Sequence, residues 1–112
     1  MANASGANIN RQGPQLEALQ VLAEYLELSL DAGASLIVMR HSTDIATLYV
    51  GDPAGPREEL KRRGTIAASL ANEILNVTDA GVNRIEIEGK SYRFFRSFTH
   101  LDDGAAVVFS ST

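Results

Sequence analysis

A chain of 112 residues, 45% hydrophobic and 21% charged, has the size and balance of one globular domain able to bury a core without metal or disulfide staples. It contains no cysteine, which excludes disulfides and thiolate chemistry. A net charge of -4 and a pI near 5.0 argue against a general nucleic-acid binder, which needs a basic surface to displace counterions.

The first residues, M-A-N-A-S-G-A-N-I-N, lack both a basic start and an apolar segment, so no signal peptide is expected and a cytoplasmic location follows by default. No apolar run approaches the roughly 20 residues of a membrane-spanning helix, so no membrane association is expected. Residues 1–13 are small and polar, with Ile9 as the one large apolar side chain in their interior. They bury too little to offset the entropy of ordering, which predicts a disordered tail before a single domain over residues 14–112.

Gly13-Pro14 punctuates the start of a helix, and proline is tolerated in its first turn. From Gln15 to Leu30, Leu16, Leu19, Leu22, Ala23, Leu26 and Leu30 recur at spacings of three and four, which places them on one stripe. The remaining surface carries Glu17, Glu24, Glu27 and Asp31 without a lysine or arginine. It reads as a solvated acidic face, with docking of a basic partner as the sharper alternative. Gly33 supplies a left-handed stop.

Ala34 to Arg40 is a short apolar run of strand formers, His41-Ser42-Thr43-Asp44 a polar turn, and Ile45 to Val50 a returning strand. The unbroken Leu36-Ile37-Val38-Met39 predicts a central strand covered on both faces. After the loop G-D-P-A-G-P, a long helix is predicted from Pro56 or Arg57 to about Asn76. Its first half offers Glu58–Arg62 and Glu59–Arg63 pairs at four-residue spacing, each worth about 0.3–0.5 kcal/mol. Its second half has the stripe Ile66, Ala67, Leu70, Ala71, Ile74 and Leu75. Gly64 inside a helix costs about 1 kcal/mol against alanine, which implies a packing reason.

Residues Val82 to Ser110 read as a three-stranded antiparallel meander. Ile85 and Ile87 alternate with Arg84, Glu86 and Glu88, the mark of a strand with one buried face. Gly89-Lys90 suits a two-residue hairpin, and Asp102-Asp103-Gly104 a second turn. All four phenylalanines lie here, which assigns the meander much of the core. The predicted fold is therefore α+β: a five-stranded antiparallel sheet, element order α-β-β-α-β-β-β, with one helix on each face.

The candidates for chemistry are weak. His41, Ser42 and Asp44 have the residue types of a hydrolase triad but are compressed into one turn, with no separate element to build an oxyanion hole. His100 with Asp102 and Asp103 reads as hairpin material rather than a cation site. Gly51, Asp52 and Gly55 lack a phosphate-loop pattern, and Gly89-Lys90-Ser91 lacks the preceding glycine and following helix. No catalytic residue, cofactor or metal ligand is assigned, and a non-enzymatic protein is expected. Arg93 and Arg96 interleave with Tyr92, Phe94, Phe95 and Phe98 as in an RNA-binding sheet, but core aromatics are the simpler reading and no nucleic-acid partner is expected.

The element order and several phrases resemble the roadblock/LC7 family, of profilin-like α+β fold. Gly33-Ala34-Ser35-Leu36-Ile37-Val38 is similar to the family's G-A-x-x-V start of its first strand, and Asp103-Gly104-Ala105 with the apolar run after it to its closing strand. The resemblance spans about residues 14–112, without the further C-terminal helix many members carry. It implies a scaffold that dimerises through the long second helix and the first meander strand. Carried over, the interface is Ile66, Ala67, Leu70, Ala71 and Ile74 with Val82, Arg84, Glu86 and Glu88. It further implies a protein partner of the small Ras-like GTPase or signalling type. A secretion chaperone and a profilin-like small-ligand sensor are the alternative classes.

Overall fold

The computed structural model describes residues 14–101 and 104–112. Helix α1 (Pro14–Ala32) is followed by β1 (Ser35–Arg40), β2 (Ile45–Gly51), a 3-10 turn (Arg57–Glu59), β3 (Lys61–Ala67), α2 (Ala68–Asn76), β4 (Gly81–Ile87), β5 (Lys90–Leu101) and β6 (Gly104–Ser111). The fold is mixed α+β, with two helices among the described residues and one six-stranded antiparallel sheet in the order β3-β2-β1-β6-β5-β4. The expected tail at residues 1–13 and the turn residues Asp102 and Asp103 lie outside the described residues.

The leucine stripe folds α1, although its two ends, Leu16 and Leu30, are 42% and 47% exposed. Ala18, Leu19, Leu22, Ala23 and Leu26 are buried against Leu36, Leu48, Phe94 and Phe109 of the sheet. Gly33 ends the helix at φ +64°, and the Ala34 N–H reaches back to the Ser29 carbonyl at 2.9 Å, the wide loop of a Schellman stop. Strand β1 is central, between β2 and β6, as its apolar run predicts.

Two expectations fail at the second helix. Residues 57–67 are not helical: they form the 3-10 turn and an edge strand, β3, paired with β2. The four-apart charge pairs on one helix face therefore do not exist, and the sheet has six strands rather than five. Gly64 has its packing reason in the strand. A Cβ there would lie 2.2 Å from the Tyr25 hydroxyl oxygen, so the glycine lets β3 pass beneath α1's tyrosine. The nine-residue α2 also packs on the same face as α1, not the opposite one, because Ile74 joins the leucines of α1 in a single cluster. The other face of β1 is filled by different means: Ile37 and Met39 cluster with Tyr49, Leu60, Leu101, Ala106 and Val108.

The meander lies where predicted, with two corrections. Its first turn is centred on Glu88-Gly89, not Gly89-Lys90, since φ is +53° and +83° at these residues and Ile87 pairs with Lys90. Positive φ at both central positions is the I′ hairpin, whose handedness matches strand twist. Of the phenylalanines, Phe94 and Phe109 are buried and pack edge to face at 5.6 Å, whereas Phe95 and Phe98 are 44% and 63% exposed. Arg96, whose side the sequence left open, points toward the helices. Its Nη1 donates to the carbonyls of Leu75 and Thr78 at 2.9 Å each and to Thr78 Oγ1 at 2.7 Å, which ties the end of α2 to β5.

Arg96→Met is expected to lower the unfolding free energy by about 2 kcal/mol, because charge-assisted bonds to helix-end carbonyls are lost, as read by urea unfolding. Glu88→Asn is expected to raise it by about 0.5–1 kcal/mol, since asparagine tolerates the left-handed conformation better than glutamate.

Candidate functional site

The residues proposed as an interface fall on three elements. Ile66 and Ala67 belong to β3, and Leu70, Ala71 and Ile74 to α2, while Val82, Arg84 and Glu86 lie on β4 with Glu88 in the turn after it. Strands β3 and β4 are the opposite edges of the sheet, about 24 Å apart at 4.8 Å per strand step. Ile74 is 2% exposed and sits in the core. The nine residues therefore do not make one surface; the β4 set does.

The two edges differ. Strand β3 presents Lys61, Arg62 and Arg63, all exposed, and its register with β2 shifts at Leu48/Tyr49, so that charge and a bulge both spoil it as a template. Strand β4 runs seven residues in unbroken register with β5 and contains no proline. Its outer side chains are Val82, 71% exposed, then Arg84 and Glu86. Arg84 stands directly opposite Arg93, a like-charge pair that weakens the hairpin unless an anion joins it. On the helix side, Leu16, Leu19, Ile85 and Ile87 line a groove of about 330 Å³ beside this edge, and Leu16 is 42% exposed. Strand alternation sets Arg84 and Glu86 apart from Ile85 and Ile87, but Val82 enters only through the family resemblance, and the helical stripe groups Leu16 with the other α1 leucines rather than with this edge.

A polar clasp holds the same corner. Glu27 of α1 accepts a 2.7 Å hydrogen bond from the Tyr92 hydroxyl and is bridged by the Lys90 ammonium. The Lys90 and Tyr92 hydrogen bonds hold the Glu27 carboxyl below its ordinary range. Burial, then the bond to Glu27, pushes the Tyr92 phenol up to about 12. The clasp fixes α1 over the hairpin that ends β4.

The remaining polar groups serve the fold. Ser42 Oγ accepts the amides of Asp44 and Ile45 at 3.2 and 3.1 Å, and His41 Nε2 meets the Tyr49 hydroxyl at 3.1 Å, so the three triad-type residues are engaged in a turn. The Tyr49 hydroxyl also accepts from Arg57 Nη2 at 3.3 Å. Among the described residues no group of three or more His, Asp or Glu side chains converges as a metal site, and no helix is long and apolar enough to cross a membrane. His100 is described, whereas Asp102 and Asp103 lie outside the described residues. No family model, curated protein or solved structure matches the chain.

The clasp predicts a pH response at each end. A lowered carboxyl stabilises the fold above its ordinary range and loses that effect as pH falls through it. A raised phenol stabilises below its ordinary 10.0 and loses that effect as pH rises toward about 12. Phenolate absorbance is expected to show Tyr92 ionising late, and Tyr92→Phe to remove that component together with its share of the alkaline decline in stability.

Proposed function

We propose that this chain is a homodimeric protein-binding module without enzymatic activity, working in the cytoplasm, and that a second copy joins it along β4. The observation that carries the reading is the β4 edge, uncovered among the described residues, and its charge order. In a two-residue hairpin the residues flanking the turn form a hydrogen-bonded pair. Counting back from Ile87 and Lys90, residues 87, 85, 83 and 81 bond to β5, and Val82, Arg84 and Glu86 turn their N–H and C=O groups outward.

An antiparallel second copy centred on Ile85 satisfies these groups and places Arg84 opposite Glu86 of the second copy, twice over. Centring on Arg84 or on Glu86 preserves the hydrogen bonds but puts like charges face to face on the two-fold axis. Charge therefore favours one register over its neighbours. The same register brings a carboxylate to the Arg84–Arg93 pair, and the second copy gains Leu16 and Ile85 as an apolar strip to cover. Two six-stranded sheets would become one continuous sheet. A small Ras-like GTPase as the further partner rests on the family resemblance alone.

Sedimentation tests the reading. The unaltered chain is expected to dimerise at micromolar concentration. Arg84→Glu and Glu86→Arg should each weaken the dimer at least about tenfold, or about 1.4 kcal/mol, and the double swap should restore it. A strict monomer at tens of micromolar, or a swap that fails to rescue, contradicts it.

A further inference from the structure

We propose that the hollow between α2 and the sheet binds a short-chain monocarboxylate, a ligand site separate from the β4 edge. The hollow holds about 90 Å³, and Val38, Ala46, Ala71 and Ala105 are among the residues that line it. It exists because three of these four are alanines. Strands β2 and β6 and helix α2 each bring an alanine to the same place, so the short α2 does not close down on the sheet. The lining is otherwise apolar except for Arg40 and Asn72, and both are exposed, which puts them at the rim.

That arrangement fits one kind of molecule. Typical metabolite pockets hold about 300–1,000 Å³, so a nucleotide or sugar is too large for the hollow itself. A four- or five-carbon chain fits an apolar space of this size. At the rim, a guanidinium offers a planar pair of donors matched to a carboxylate, and the Asn72 amide can add a third. One cation in the lining matches one negative charge, which favours a monocarboxylate over a phosphate dianion.

Isovalerate is the probe, followed by methyl and amide NMR shifts of the full chain. Saturable binding is expected with a Kd at or below about 1 mM, and the affected signals should centre on Val38, Ala71 and Val107. Isovaleramide, acetate and inorganic phosphate should each bind at least about tenfold more weakly, since each lacks the charge, the tail or the fit. Arg40→Gln should reduce isovalerate binding to the level of the amide. Ala71→Leu should abolish it by filling the hollow. Ala105→Val, at an exposed strand position, tests the same point should the leucine variant fail to fold. Equal binding of acid and amide, shifts that map away from the hollow, or no saturation at about 10 mM would each overturn the proposal. None of these readouts depends on dimerisation, because β4 contributes nothing to the lining.

Discussion

The packing of the α1 leucines onto one face of the sheet governs the rest of the molecule. Leu19, Leu22 and Leu26 meet Leu36, Leu48, Phe94 and Phe109, so strands distant in sequence share one buried cluster. Burying a side chain of this size contributes about 1.5–3 kcal/mol, well above any exposed ion pair in the chain. Helix α2 is too short to build a layer of its own and is drawn to the same cluster through Ile74. Both helices therefore occupy one side, the six strands form a single open sheet, and two strands are left as its edges.

An open sheet must manage those edges, and here they are treated in opposite ways. Lys61, Arg62, Arg63 and a register shift make β3 a poor template for added strands. Strand β4 has neither a bulge nor a proline, and its two outer charges have opposite sign. A strand with that charge order is poorly suited to repel a copy of itself and well suited to align one. The Glu27–Tyr92–Lys90 clasp keeps α1 fixed beside it, so the apolar flank at Leu16 stays in register with the edge.

Much of this was legible in the sequence where local pattern and tertiary packing agree. The three-and-four spacing of leucines placed α1, the run Leu36–Met39 placed the central strand, and alternation from Arg84 to Glu88 placed β4. Residues 57–67 are opaque to local pattern because R-E-E-L-K-R-R satisfies helical charge spacing, whereas what holds residues 61–67 extended is long-range pairing with β2, with Gly64 beneath Tyr25. The side to which Arg96 points was equally hidden, since strand phase says which residues share a face but not which face a helix covers. The interface residues carried over from the family resemblance divided for the same reason: with β3 extended, Ile66 and Ala67 sit at the far edge from Val82 and Arg84.

The central claim is that the outward amides of β4 are occupied by a second copy, and hydrogen exchange followed against protein concentration reads this directly. The account predicts that the N–H groups of Val82, Arg84 and Glu86 become protected as concentration rises through the association range, while the outward amides of β3 stay open to solvent. Rapid, concentration-independent exchange at all three β4 positions would contradict it.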